Sequence, residues 1–139
     1  MGQIVGIYIC ANSGMPMRSV LSANALEKRG LEGDRYAESR GFYSGKGRIA
    51  RRNVTLIAEE DIIAGNELLE VPFVPEDTRR NIVTSGVDLK TLVNIEFLVR
   101  GEVMMLVHAR CGTCSRPRLC ARGLIFEEHT RATAALFAR

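Results

Sequence analysis

The stretch from Ile95 to Cys120, IEFLVRGEVMMLVHARCGTCSRPRLC, indicates both how the chain pairs its strands and where its chemistry lies. Ile95–Val99 and Val103–Val107 are apolar runs on either side of Arg100-Gly101, and a glycine between two such runs favours a β-hairpin. The second strand would run directly into His108 and a cysteine-rich loop. We therefore expect a hairpin that presents sulfur at its end.

That loop, residues 108–120, contains three of the four cysteines and three arginines: Cys111, Cys114 and Cys120 with Arg110, Arg116 and Arg118. Thiolate is the nucleophilic and metal-binding form of cysteine, and neighbouring cations favour it over the thiol. Free cysteines are often buried core residues, but three in one short arginine-rich loop favour chemistry over packing. The remaining cysteine, Cys10, ends an apolar strand predicted over Gly2–Cys10 and is interpreted as a core residue.

Length and composition set the class of protein. The 139 residues, 46% of them hydrophobic, fit one domain over residues 1–139 with a core of its own. A net charge of +3 does not indicate a nucleic-acid partner. The chain has neither a membrane-spanning apolar run nor the features of a signal peptide. We expect a cytoplasmic protein with reduced cysteines and with no membrane partner.

Two further segments carry charges at positions that suggest binding. In GLEGDRY, residues 30–36, Asp34 and Arg35 follow a tight glycine turn. They would bind a polar ligand or, as we favour, satisfy the local backbone and each other. Arg79-Arg80-Asn81 precede the apolar strand that begins at Ile82, and guanidinium groups bind phosphate or carboxylate through paired hydrogen bonds. This second segment predicts an anion site.

The rest of the pattern is mostly short strands. A strand over Val54–Ile57 leads into the acidic helix start at Glu59–Asp61, whose helix would bury Ile62, Ile63 and Leu69. Residues 127–137, EEHTRATAALF, predict a C-terminal helix because alanines follow early acids. Many short strands with little helix predict a mainly β fold, a barrel or a sandwich.

Three of these segments, taken together and in this order, resemble a MOSC domain. The family is named for the C-terminal domain of molybdenum cofactor sulfurase and also occurs as small stand-alone bacterial proteins. The segments are GLEGDRY at 30–36, RRNIV at 79–83 with GVDL at 86–89, and CGTC at 111–114. The resemblance is strongest over residues 2–118. Residues 120–139 depart from it, since family members continue into a glycine-rich turn and a last strand that helps to close the barrel.

The resemblance implies a β-barrel with a few short helices that binds the molybdenum cofactor, an anionic pterin, or handles sulfur. It implies Cys114 as the functional thiol, either a persulfide carrier or a molybdenum ligand. It also implies Arg79, Arg80 and Asn81 as cofactor contacts. We add the turn residues Asp34 and Arg35 to this predicted set of cofactor-binding residues. A sulfur donor protein is an expected partner. An open barrel edge would need the C-terminal helix or a second subunit of a homodimer to cover it.

Two other classes of function stay open. One is a zinc-binding structural or interaction module, because four residues of the loop form an acceptable tetrahedral set: His108, Cys111, Cys114 and Cys120. Only the Cys-x-x-Cys step of that set has the usual spacing. The other is a non-catalytic domain that uses the arginine site for a different anion. The sequence leaves open whether the domain catalyses a reaction by itself.

Overall fold

The computed structural model describes residues 2–41, 44, 53–99, 103–111 and 129–133, and of residues 108–111 and 129–133 it describes the backbone. The strands in these ranges are β1 (Gln3–Ile9), β2 (Arg18–Val20), β3 (Ala25–Leu26), β4 (Gly30–Leu31), β5 (Val54–Ala58), β6 (Ile82–Ser85), β7 (Glu96–Val99), β8 (Val103–Cys111) and β9 (His129–Thr133). The helix α1 spans Glu59–Asn66, and two short 3-10 helices span Pro75–Thr78 and Leu89–Leu92. The predicted mainly β fold is confirmed.

Seven of the strands form one sheet in the order β2-β1-β6-β5-β9-β8-β7, and β3 and β4 form a separate ribbon. Neighbouring strands are antiparallel except for β5 and β6, which run parallel. In the part of the chain that the structure describes, the edge strands β2 and β7 do not pair with each other. The sheet is therefore not closed into the predicted barrel.

The antiparallel strand pairing predicted on either side of Arg100-Gly101 is confirmed, and the two turn residues themselves lie outside the described ranges. Strands β7 and β8 pair antiparallel from Val99 opposite Val103 to Glu96 opposite Leu106. Strand β8 continues through His108 to Cys111, beyond the predicted end at Val107, because β9 pairs with this extension. The strand therefore carries the first cysteine of the loop within the sheet.

The strand before α1 and the helix itself are also confirmed, with one difference on the helix surface. Ile62 is buried, and Leu69 packs partly against the same core cluster. Ile63 is 56% exposed, so its predicted place on the buried face is wrong. Successive residues of a helix are about 100° apart around its axis, and a helix of 8 residues lying on one sheet face covers only one of the two isoleucines.

The C-terminal helix predicted over residues 127–137 is wrong at its centre, where the chain forms β9. This strand lies between β5 and β8, with Ala132 opposite Val54 on one side and Val107 on the other. Ladder hydrogen bonds to two neighbours outweigh the modest helix propensity of the alanines. Strand β9 thus supplies a last strand, which the sequence analysis had expected to be missing. The other residues of the predicted helix lie outside the described ranges.

The core lies on both faces of the sheet, because alternate residues of β1 and β6 point to opposite faces. One cluster contains Ile7, Ile9 and Ile82, and the other contains Tyr8 and Val83 together with Cys10. The prediction that Cys10 is a core residue is therefore confirmed. No helix in the described part of the chain is both long and apolar enough to cross a membrane.

Candidate anion-binding site

The predicted arginine segment and the predicted glycine turn meet at one end of the sheet. Because β1 and β6 are antiparallel, with Ile7 opposite Ile82, the last residues of β1 lie beside the residues that precede β6. The backbone N–H of Arg35 donates to the carbonyl oxygen of Cys10 over 2.6 Å, which fixes the turn against the end of β1. Five predicted site residues therefore share this end of the sheet: Asp34, Arg35, Arg79, Arg80 and Asn81. We call it the arginine end.

The turn that carries Asp34 and Arg35 depends on glycine. Gly30 has φ +123° and Gly33 has φ +84°, both in the region that side chains rarely adopt. A Cβ atom on Gly30 would also collide with the backbone carbonyl oxygen of Asn53. The glycine spacing therefore allows the close approach that delivers Asp34 into the core.

Asp34 is fully buried, and both of its carboxylate oxygens accept hydrogen bonds. Its Oδ1 accepts hydrogen bonds from the backbone N–H of Cys10 over 3.1 Å and from Nη1 of Arg35 over 3.2 Å. Its Oδ2 accepts from the backbone N–H of Tyr36 over 3.2 Å. These contacts agree with the favoured interpretation that Asp34 and Arg35 satisfy the local backbone and each other.

Arg35 is buried as well, and its guanidinium group is held on several sides. Nη1 lies 3.4 Å from Sγ of Cys10 and 3.4 Å from Sδ of Met17, and Nη2 donates to the carbonyl oxygen of Arg79 over 3.5 Å. The guanidinium carbon lies 4.8 Å from the centroid of the Tyr36 ring, a cation–π contact. Arg35 therefore links the glycine turn to the arginine segment in one orientation.

Arg79 ends the 3-10 helix at Pro75–Thr78 and is half-buried. It adopts a left-handed backbone conformation with φ 58°. Nη1 donates to the carbonyl oxygen of Met15 over 2.6 Å, and Nη2 lies 3.6 Å from Sγ of Cys10. The ion pairs between described residues are Arg29–Glu38 and Arg35–Asp34, so within these ranges no carboxylate neutralises Arg79.

Arg80 is only 5% exposed, and its Nε atom has no hydrogen-bond partner among the described residues. It likewise makes no ion pair within those ranges. A buried donor without a partner costs about 1 to 3 kcal/mol, and more when the group is charged. Native structures rarely keep such a group without a reason, of which a bound ion or ligand is one.

Asn81 uses its side chain inside the sheet. Nδ2 donates to the carbonyl oxygen of Tyr8 over 3.1 Å, while Oδ1 accepts from the backbone N–H and from the hydroxyl of Thr55, both over 3.1 Å. The amide thus joins the ends of β1 and β5 to the segment before β6. Asn81 is a predicted cofactor contact, and in the described structure its amide stabilises the backbone next to Arg80.

The predicted thiol site falls mostly outside the described residues, and this includes Cys114, Cys120, Arg116 and Arg118. The backbone of Cys111 lies at the end of β8, opposite His129. A row of pairings crosses the sheet from Arg110 through Thr130 and Leu56 to Ile82. Cys111 lies just past this row, three strands from the segment that precedes Ile82. The backbone of Cys111 therefore lies at a distance from the arginine end, and the loop residues after it lie outside the described ranges.

Sequence reasoning missed the contacts of Cys10. It identified the residue correctly as buried, but the sulfur also lies between the guanidinium groups of Arg35 and Arg79. These partners are 25 and 69 residues away in sequence. No local pattern signals such a contact, because it depends on the pairing of β1 with β6 and on the path of the glycine turn.

Among the described residues, the pKa values of Tyr8, Glu60 and Asp61 depart from their ordinary values. Burial, with smaller contributions from the carboxylates of Glu76 and Glu59, raises the pKa of Tyr8, which packs in the same core cluster as Cys10. At the opposite end of β6, a hydrogen bond from the backbone N–H of Gly86 lowers the pKa of Glu60. Burial raises the pKa of Asp61.

The fold is similar to those of solved bacterial proteins, whereas no family model and no curated protein sequence matches the chain. YuaD from Bacillus subtilis matches with a TM-score of 0.73 at 15% sequence identity, over 99% of this chain and 91% of its own. YiiM from Geobacillus stearothermophilus matches with a TM-score of 0.66 at 13% identity, over 100% of this chain and 71% of its own. At these identities the likeness concerns the fold alone, and it supports the MOSC-like fold that the sequence resemblance implies.

Proposed function

We propose that this domain binds the molybdenum cofactor, or a related sulfur-bearing anionic ligand, through Arg79 and Arg80 at the arginine end. We further propose that Cys114 carries sulfur as a persulfide or ligates molybdenum. The observation that carries the proposal is the buried Nε of Arg80, which has no partner among the described residues. An anionic oxygen would accept a charge-assisted hydrogen bond from this atom and offset the cost of its burial.

The charges of the described residues favour an anion with about two negative charges. Asp34 neutralises Arg35 across 3.2 Å, whereas no carboxylate in the described ranges pairs with Arg79 or Arg80. Two guanidinium charges therefore remain at this end of the sheet. A phosphate monoester, as on a phosphorylated pterin, has the matching charge and the oxygen geometry that guanidinium forks bind.

The residues present fit this cofactor in charge and in ligand chemistry. The arginine end would hold the phosphate, Asn81 would keep the backbone of Arg80 in place, and the late cysteine loop would offer a soft thiolate ligand. When bound, the cofactor would supply redox chemistry at molybdenum. As a persulfide, Cys114 would instead hold sulfur received from a donor protein.

The first test compares cofactor content in proteins purified without oxygen from the native cells. We expect molybdenum and pterin in wild type, and at least about tenfold less in Arg80→Gln and Arg79→Gln, since each loses a charged hydrogen bond. Arg29→Gln is the matched control, because Arg29 is an exposed arginine paired with Glu38 outside the site. Wild-type occupancy in both site variants would overturn the arginine assignment.

The second test concerns the thiol. Intact mass spectrometry of wild type and Cys114→Ser, prepared in the same way, should show an added sulfur or a cofactor adduct only in wild type. An adduct that persists in Cys114→Ser would overturn the role of this cysteine. Zinc at one atom per chain in both proteins would favour the zinc module in place of the proposed function.

A further inference from the structure

We infer that Cys10 is a positioning residue of the arginine end, whose thiol sulfur orients the guanidinium groups of Arg35 and Arg79 without neutralising them. This inference rests on the proposed anion site. It assigns a role to the cysteine that lies outside the thiol loop, and that role differs from the one proposed for Cys114.

The geometry around the sulfur supports this role. Sγ of Cys10 lies 3.4 Å from Nη1 of Arg35 and 3.6 Å from Nη2 of Arg79, both within hydrogen-bond distance for sulfur. The thiol itself donates to the carbonyl oxygen of Asn12 over 3.2 Å. One atom thus contacts a guanidinium group from the glycine turn and another from the segment before β6.

The backbone of Cys10 holds the sulfur in place. Its N–H donates to Asp34 over 3.1 Å, and its carbonyl oxygen accepts from the N–H of Arg35 over 2.6 Å. Cys10 is also packed within the cluster of Tyr8 and Val83. Since both the backbone and the packing are fixed, the sulfur is a rigid reference point for the two longer arginine side chains.

A thiol suits this position because it accepts hydrogen bonds while remaining a weak, soft acceptor. A carboxylate here would cancel one of the positive charges that an anion needs. A methyl group would remove the sulfur contact of Nη2 of Arg79 and one of the three contacts of Nη1 of Arg35. An arginine side chain has five N–H donors, so the contact with Cys10 leaves others of Arg79 available to a ligand.

Burial distinguishes this role from sulfur transport. Cys10 is 2% exposed. The guanidinium groups of Arg35 and Arg79 contact its sulfur, and Met17 contacts the guanidinium group of Arg35. A sulfur donor protein needs direct access to the thiol that it loads. The sulfur of Cys10 therefore acts through the arginines that it contacts.

The test uses inorganic phosphate as the probe, with binding measured by calorimetry at low salt. We expect Cys10→Ala to weaken phosphate binding about fivefold, because two hydrogen bonds that hold the arginines are lost. Cys10→Ser keeps a hydroxyl acceptor and should stay within about twofold of wild type. Val83→Ala is the packing control, since Val83 is buried in the same cluster, and it should also stay within about twofold.

A second measurement needs no ligand. The Nη2–H resonances of Arg79 in 15N spectra should be resolved in wild type, Cys10→Ser and Val83→Ala, and averaged by rotation in Cys10→Ala, because Cys10 supplies the acceptor of this group. Those of Arg35, which Asp34 also holds, should stay resolved. Equal spectra in Cys10→Ala and wild type, or the same loss in Val83→Ala, would overturn the role of Cys10. If wild type failed to bind phosphate, the proposed anion site would fall, whereas these spectra would still decide for or against Cys10.

Discussion

The two ends of β6 differ in how fully their charged side chains are hydrogen-bonded. At its start, the arginine end carries Arg79 and Arg80, and the buried Nε of Arg80 has no hydrogen-bond partner among the described residues. At its finish, Oε1 of Glu60 accepts hydrogen bonds from the N–H of Gly86 over 2.6 Å and from the hydroxyl of Ser85 over 3.2 Å. Carboxylates also gather there around a pocket of about 330 Å³, lined in part by Glu60, Asp61 and Asp88.

The difference shows that charge alone does not mark a binding site. The carboxylates of Glu60 and Asp88 are exposed and already accept hydrogen bonds that end β6 and begin the next 3-10 helix. The side chain of Arg80 is buried, and its Nε donor without a partner is costly because the group is charged. The hydrogen bonds of Glu60 and Asp88 at the acidic end are therefore explained by local structure, whereas the unpartnered Nε of Arg80 supports the anion site that we propose.

The largest effect on this comparison should come from Asp34→Ala at the arginine end. The substitution leaves the buried charge of Arg35 without its carboxylate and two backbone N–H groups without an acceptor. We expect the free energy of unfolding to fall by about 4 kcal/mol in urea titrations.

Asp88→Ala is the matched control from the other end, where the exposed carboxylate caps a 3-10 helix through the N–H of Lys90. It should cost about 1 kcal/mol or less. Similar losses in the two variants would contradict the view that the ends hold charge in different ways.

A somewhat smaller loss is expected for Asn81→Ala, which tests whether this residue supports the sheet. The variant leaves the carbonyl oxygen of Tyr8 and the N–H of Thr55 buried and unpaired, for a loss of about 3 kcal/mol in the same titrations. Asn53→Ala, which loses one exposed hydrogen bond to the carbonyl of Lys28, should change the stability by about 0.5 kcal/mol or less. If Asn81→Ala were as stable as Asn53→Ala, the amide would be available to a ligand, as the family resemblance implies.

The smallest effect belongs to the acidic end and depends on pH. The hydrogen bond from Gly86 lowers the pKa of folded Glu60 below its ordinary value of 4.5. Ionised Glu60 therefore stabilises the folded state above that pH, and the contribution is lost as the pH falls through the lower folded value. Glu60→Gln should be slightly less stable than wild type at pH 7 in thermal unfolding, and the difference should shrink as the pH falls toward 2.5. A constant difference across this range would show that the charge of Glu60 contributes nothing.

Several parts of the fold and site could be predicted because their signals are local. The hairpin at Arg100-Gly101 and the strand before α1 follow from apolar runs and turn residues that are close in sequence. The glycines at positions 30 and 33 indicate a turn with positive φ, which the structure shows. The predicted pairing of Asp34 with Arg35 joins adjacent residues and needs no distant partner.

The mainly β class, the glycine turn and the segment that carries the arginines could thus be predicted from the amino-acid sequence, because each depends on neighbouring residues. Three features could be seen only in the assembled fold: residues 129–133 form a strand, Cys10 lies between two guanidinium groups, and the Nε of Arg80 has no partner in the described ranges. These features arise from contacts between residues far apart in the chain. Helix propensity within a short segment is too weak to resist pairing on both sides, and the burial of a charge exists only once the strands have assembled.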